Sequence, residues 1–393
     1  MKLLKVVANN FKLCEKNFTI SFIPIANKTE EDKEFELQKI DEELYTFNTL
    51  GIIGKNASGK TSTVELLSIV YDIFSNYRIT NTQNIFKYID KYLKLDITFY
   101  NEKFIYRYTT DLVKNDNSVN NLVFFKNQKL YKREYKKTHI RELFNYQKYE
   151  EVKSNIFLPA DTSILYVILK NIMPRGIYCP SDDYMYRDFA NAFNIYKLLD
   201  NNLSIITSLL KMFDEHLENI KMINENKYKI IYSNKSSKEV TNSELYDILS
   251  SGTTKGFGLF TFVAYSLKTG TDLIIDEIEN HFHKTLVGSL VNLYKDKLVN
   301  KNNATLIFTT HYCEILDLFN RSDNIYISKF QNEIKLENMY KKYKFRPELS
   351  KSNKFYNNEF NTNVSYEALM NFKKELMKWE FFCYVKAPMK KFY

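Results

Sequence analysis

Gly51-Ile52-Ile53-Gly54-Lys55-Asn56-Ala57-Ser58-Gly59-Lys60-Thr61 decides how this chain is read. From Gly54 onward it is a G-x-x-x-x-G-K-[ST] phosphate loop. Residues 44–53, ahead of and entering the loop, are apolar and β-branched enough for a buried strand. Residues 62–71 after it carry apolar side chains at helical spacing. Strand, glycine-rich turn and helix in this order aim backbone N–H groups and a helix N-terminus at a phosphate. Gly54, Asn56, Ala57, Ser58, Gly59, Lys60, Thr61 and Ser62 are the expected phosphate-binding residues. In that geometry Lys60 reaches the β- and γ-phosphates of a nucleotide and the Thr61 hydroxyl holds Mg²⁺.

Six of the nine glycines fall near 51–59 or 252–258, so the second cluster is the next place to look. There, Leu249-Ser250-Ser251-Gly252-Thr253 is a small, hydroxyl-rich turn leading into an apolar helix, and it suits an anion as well as a helix cap. About twenty residues on, Asp272-Leu273-Ile274-Ile275-Asp276-Glu277 is an apolar strand ending in two carboxylates, the Walker B pattern. Asp276 is expected to hold Mg²⁺ through water, and Glu277 to polarise the attacking water as general base. Ala304-Thr305-Leu306-Ile307-Phe308-Thr309-Thr310-His311 is another buried strand, ending in a histidine placed to meet a γ-phosphate. Glu277, His311 and Lys60 are thus the catalytic candidates, and Thr61 and Asp276 the metal candidates.

The bulk properties bound the rest. A chain of 393 residues is long enough for one large or two modest cores. Charged residues at 26% and apolar ones at 44% are ordinary for a soluble protein. The formal charge of +9 is diffuse, so it permits nucleic-acid binding without arguing for it. Lys341-Lys342-Tyr343-Lys344-Phe345-Arg346-Pro347 mixes bases with aromatics but reads as a solvated linker. Cys14, Cys179, Cys313 and Cys383 are scattered, as reduced thiols in a cytoplasmic protein would be. No stretch reaches about 18 apolar residues, and the start reads as a strand rather than a signal peptide. H-E-x-x-H, G-x-S-x-G and Cys/His metal spacings are missing, which argues against those hydrolase and zinc classes. His281-x-His283 reads as a solvated loop, not a metal site.

Along the chain, strands are expected over 2–11 and 18–25, a charged loop over 27–42, and hairpins over 94–127. Residues 160–225 read as helical, with the clearest stripe over 202–217. A strand returns at 227–233, and 249–327 alternates helix and buried strand. Residues 366–379 read as an amphipathic packing helix. The expected division is an N-terminal lobe 1–155 with the phosphate loop, a helical lid 156–245, a C-terminal lobe 246–330, and a tail 331–393 that offers a docking segment for a partner.

The order phosphate loop, Ser-Gly turn, Asp-Glu strand, strand-His resembles the ABC-type ATPases, in the branch containing SMC, RecF and OLD proteins. Gly54 to Thr61 looks like that branch's G-x-N-x-[SA]-G-K-[ST]. Leu249-Ser250-Ser251-Gly252-Thr253 is similar to the LSGGQ signature, with Ser in place of the first Gly and Thr in place of Gln. Asp276 to His283 resembles Walker B with its following loop, and His311 falls at the switch-histidine position. The Q-loop glutamine has only Gln83 as a candidate. The resemblance is closest to the short stand-alone AAA-type ATPases of prokaryotic anti-phage defence loci.

That resemblance implies an α/β P-loop NTPase of ABC-ATPase type: a two-lobed head with a mixed hairpin and helical insertion between phosphate loop and signature. It implies ATP and Mg²⁺ as cofactors and a slow, regulatory ATPase. It further implies a homodimer or higher homo-oligomer in which Ser250, Ser251 and Gly252 of one copy complete the other copy's ATP site. A separate effector protein is the expected partner, with the chain as sensor or scaffold in an antiviral complex. A RecF-like DNA-repair ATPase and an ATP-locked structural oligomer with little turnover are the alternatives.

Overall fold

The computed structural model describes residues 1–79, 85–115, 122–153, 157–169, 175–181, 203–224, 226–280, 282–343, 350–357, 367 and 370–378. The first stretch contains strands β1 (Lys2–Asn9), β2 (Phe18–Ser21), β3 (Leu37–Asp41), β4 (Leu44–Phe47) and β5 (Thr49–Ile53). Next come β6 (Tyr92–Asn101), β7 (Phe104–Asn115), β8 (Leu122–Glu134), β9 (Glu150–Glu151) and β10 (Gly176–Cys179). The remainder contains β11 (Leu217–Asn224), β12 (Lys227–Tyr232), β13 (Ser237–Thr241), β14 (Asp272–Ile275), β15 (Leu306–Thr310), β16 (Ile325–Phe330) and β17 (Ile334–Asn338).

Two six-stranded sheets dominate. One, in the order β10-β14-β15-β5-β16-β17, is parallel except for β17. Its strands β5, β14 and β15 are buried along their whole length, as a sheet covered on both faces requires. The other, in the order β2-β1-β6-β7-β8-β9, is antiparallel, and its strand β6 alternates exposed and buried positions over its first half. The helix Lys60–Asn76 lies between the two sheets. Val64, Leu67, Val70 and Phe74 share one core with Leu50, Ile52, Ile274 and Ile307 of the parallel sheet and with Leu95, Ile97 and Phe99 of β6. Phe74 meets Phe99 edge-on at 5.0 Å. The opposite face of the parallel sheet is covered by the helices Ser251–Thr269 and Lys284–Lys295, through Leu259, Val263, Val287 and Val291. Each fully buried side chain of this size contributes about 1.5–3 kcal/mol. This is the expected α/β architecture.

Several local expectations are corrected. The charged loop of 27–42 contains a helix, Glu30–Phe35, and β3. Thr29 and Asp32 form a capping box, and Arg321 Nη1 binds Asp32 at 2.6 Å. Glu36 is fully buried because Lys295 Nζ reaches it at 2.6 Å. Tertiary ion pairs, invisible locally, make this charged run structural. The single strand expected over 44–53 is two strands in different sheets, β4 pairing with β3 and β5 lying between β15 and β16.

The helical stripe of 202–217 stops earlier. The helix is Leu203–Phe213, Asp214 turns the chain by accepting from the His216 N–H, and Leu217 opens β11. β11 joins a three-stranded sheet, β11-β12-β13, in which Leu217 and Ile220 pack with Tyr228 and Ile230 and against Phe257 of the helix Ser251–Thr269. Residues 176–179, inside the stretch expected to form the lid, supply β10 to the parallel sheet. Residues 370–378 are helical as expected, but Phe372, Leu376 and Met377 stand exposed rather than packed. Gln83, His281 and residues 344–347 of the basic segment lie outside the described residues. Among the described residues, no helix is long and apolar enough to cross a membrane.

Candidate active site

β14, β15 and β5 are adjacent and parallel, so their C-terminal ends open onto one edge of the sheet. Open α/β sheets bind ligands at such an edge. β5 ends in the phosphate loop, β14 in Asp276 and Glu277, and β15 in Thr310 followed by His311.

The loop wraps tightly. Ala57 and Gly59 both take left-handed backbone angles, φ 59° and 98°. A Cβ on Gly54 would lie 2.5 Å from the Ser328 carbonyl oxygen and closer still to Ser58 Oγ. A Cβ on Gly59 would run into the Ile334 side chain. Ser328 Oγ donates to the Ser58 carbonyl at 2.7 Å and ties the loop to β16. Asn56 and Ala57 are exposed at the loop tip, and Ser62 is half-buried in the helix's first turn. Lys60 is nearly buried. Its Nζ donates to the carbonyls of Gly54 and Lys55 at 3.0 and 3.1 Å and stands 3.4 Å from His311 Nδ1. Burial lowers its pKa, opposed by the nearby Glu277, Asp276 and Glu279.

Thr61 Oγ1 donates to Asp276 Oδ2 at 2.8 Å, joining the two expected metal residues. Asp276 is buried. That burial raises its carboxyl pKa, offset by hydrogen bonds from Thr309 and Thr61. Glu277 is partly exposed, and its Oε1 lies 3.4 Å from His311 Nε2. Lys60, Thr61, Asp276, Glu277 and His311 therefore converge from three parts of the sequence.

Ser250 and Gly252 are placed differently. Ser250 Oγ caps its own helix, accepting from the Thr253 N–H at 3.0 Å. Ser251 and Gly252 form the first turn, and the side of Gly252 where a Cβ would stand is open, with only Ser250 Oγ nearby at 3.8 Å. His283 caps the helix Lys284–Lys295 through its Nδ1.

Sequence reasoning missed three supporting residues. Thr309 Oγ1 donates to Asp276 Oδ1 at 2.6 Å and accepts from the Glu277 N–H at 2.7 Å. Glu279 accepts from the His311 backbone N–H. Ser328 holds the loop from β16. Thr309 had little local signal, being one of two adjacent buried threonines that end β15, and Ser328, 270 positions from Ser58, had none.

The residues fit a magnesium-bound triphosphate. Thr61 and Asp276 offer hard oxygen donors side by side. Ser58 Oγ is buried in the cradle with no hydrogen-bond partner among the described residues. Among those residues, no cluster of His, Cys, Asp or Glu forms a separate metal site.

No curated protein matches the chain. Among solved structures, the chain is similar to the SMC head domain from Thermotoga maritima, with 10% identity, TM-score 0.40, and 86% of this chain and 99% of that one covered. It is also similar to an SMC head bound to the C-terminal winged-helix domain of ScpA, with 12% identity, TM-score 0.47 and coverage of 86% and 97%. A family model described as "AAA domain, putative AbiEii toxin, Type IV TA system" matches residues 50–317, from the strand entering the phosphate loop to beyond His311. This span is well over half of the chain and includes all four motifs, and the chain belongs to that AAA family.

Proposed function

We propose that the chain binds and hydrolyses ATP, dimerises around it, and acts as sensor or scaffold for a separate effector in an anti-phage defence complex. The observation that carries the ATPase reading is the Thr61–Asp276 hydrogen bond, with Lys60, Glu277 and His311 gathered beside it. In this reading Gly54 to Thr61 and Ser62 cradle the phosphates with backbone N–H groups. Thr61 and Asp276 hold Mg²⁺, which supplies charge neutralisation at the β- and γ-phosphates. Lys60 exchanges its loop carbonyls for phosphate oxygens. Glu277 accepts a proton from the attacking water, and His311, between Lys60 and Glu277, orients that water and the γ-phosphate.

The assembly reading rests on Ser250, Ser251 and Gly252. The open side of Gly252 suits a phosphate brought by another copy, and a two-fold arrangement makes two equivalent sites. The division into lobes 1–155 and 246–330, lid 156–245 and tail 331–393 belongs to the same proposal, with the lid segment lending β10 and the tail segment β17 to the sheet that carries the site. The exposed Phe372, Leu376 and Met377 support a docking role for the tail, and the family's printed toxin–antitoxin description favours defence over repair.

The test is light scattering with phosphate-release kinetics, with and without Mg·ATP. The proposal expects monomers that pair on ATP addition and part after hydrolysis. Gly252→Asp should abolish pairing while leaving ATP binding intact. A chain that hydrolyses ATP as a monomer would remove the assembly reading, and one that binds no ATP would remove both.

A further inference from the structure

We propose that Thr309 is a positioning residue, fixing the orientation of both Asp276 and Glu277; this rests on the ATPase reading above. The hydrogen-bond polarity is forced. The Glu277 N–H can only donate, so the Thr309 oxygen accepts there at 2.7 Å, and its single proton goes to Asp276 Oδ1 at 2.6 Å. With Oδ1 held, rotation of the Asp276 carboxylate is stopped and Oδ2 is left facing Thr61 Oγ1 at 2.8 Å. The same hydroxyl steadies Glu277, which has φ 52°, a left-handed angle that a non-glycine residue adopts only when its surroundings impose it. The Thr309 carbonyl accepts from the Ile278 N–H at 3.0 Å, so one residue grips the chain on both sides of the bend.

Thr309 is fully buried, which keeps water from replacing its hydroxyl. The preceding residues of β15, Leu306, Ile307 and Phe308, are apolar and equally buried, and Thr310 follows it. Packing alone would be served as well by valine, which has the same shape. What the hydroxyl adds is a directed link between the metal carboxylate and the backbone of the general base.

The experiment compares Thr309→Val, Thr309→Ser and Thr309→Ala with wild type in three readouts. These are amide exchange over residues 272–280 without ligand, ATP affinity with and without Mg²⁺, and kcat. Thr309→Val should speed exchange at the Glu277 amide and leave metal-free ATP affinity unchanged. It should lose about 10–100-fold of the Mg²⁺-dependent tightening, with a matching fall in kcat. Thr309→Ser should stay within about threefold of wild type. If Thr309→Val does not fold, the Ser and Ala variants, both lacking the methyl, isolate the hydroxyl. Hydroxyl-free variants that match wild type in Mg²⁺-dependent affinity and kcat, or a serine variant as impaired as they are, would overturn the proposal. A wild-type protein with no affinity for Mg·ATP would instead sink the ATPase reading itself.

Discussion

Thr61 Oγ1 and Asp276 Oδ2 are 2.8 Å apart although 215 positions separate them in the chain. Thr61 lies in the first turn of the helix that leaves the phosphate loop, and Asp276 directly follows β14, two strands from β5 in the parallel sheet. The pair is therefore a product of strand order. β15 inserted between β14 and β5 sets the spacing, and Thr309 on that middle strand holds the far oxygen of Asp276.

Gly54, like Gly59, is a position at which the loop has no room for a side chain. An alanine there would press on the Ser328 carbonyl and on Ser58 Oγ, in the two residues whose Ser328 Oγ–Ser58 carbonyl hydrogen bond ties the loop to β16. Gly54→Ala is expected to weaken ATP binding about 100-fold, the cost of displacing a phosphate cradle by a fraction of an ångström. Isothermal titration checks the affinity, and circular dichroism should report an unchanged fold.

Asp72, in the helix between the sheets, has its carboxyl pushed up to about 6 by burial. Its folded pKa lies above the ordinary value of 3.8, so the folded protein binds more protons than the unfolded chain between about pH 4 and 6. The contribution of Asp72 to stability is thus present below pH 4 and lost as pH rises through 6. Asp72→Asn removes that loss, and the variant should melt higher than wild type at pH 7.5, with the gap closing toward pH 4. Thermal melts across that range check the sign.

The 3₁₀ helix Cys313–Leu318, just after His311, carries a clamp on the C-terminal region. Asp317 Oδ1 accepts from the backbone N–H groups of Lys351 and Ser352 at 2.8 and 3.1 Å, and Lys351 Nζ donates to the Phe319 carbonyl at 2.6 Å. Asp317→Ala should raise amide exchange over residues 350–357 by about tenfold, the equivalent of one net hydrogen bond. Exchange within β5 and β15 should not change.

The site was largely legible because each motif combines a local pattern with a chemical role. Gly54 to Thr61, Asp276-Glu277 and His311 each end an apolar strand, and strands of a parallel sheet put their ends together. The fold was less legible wherever long-range partners override local pattern. The charge-rich run 27–42 reads as a loop until Arg321 and Lys295 supply partners for Asp32 and Glu36. Leu217 continues a helical stripe by spacing, but pairing with β12 turns it into a strand. Thr309 passed as one more residue of a buried strand because its two partners lie 32 and 33 positions away.

The most direct test of the account is Glu277→Gln, assayed for ATP binding and for phosphate release against wild type. With Glu277 as general base, the variant should bind Mg·ATP as tightly as wild type while hydrolysing it about 100- to 10,000-fold more slowly. Equal turnover by the two proteins would contradict the assignment of Glu277 and the mechanism built on it.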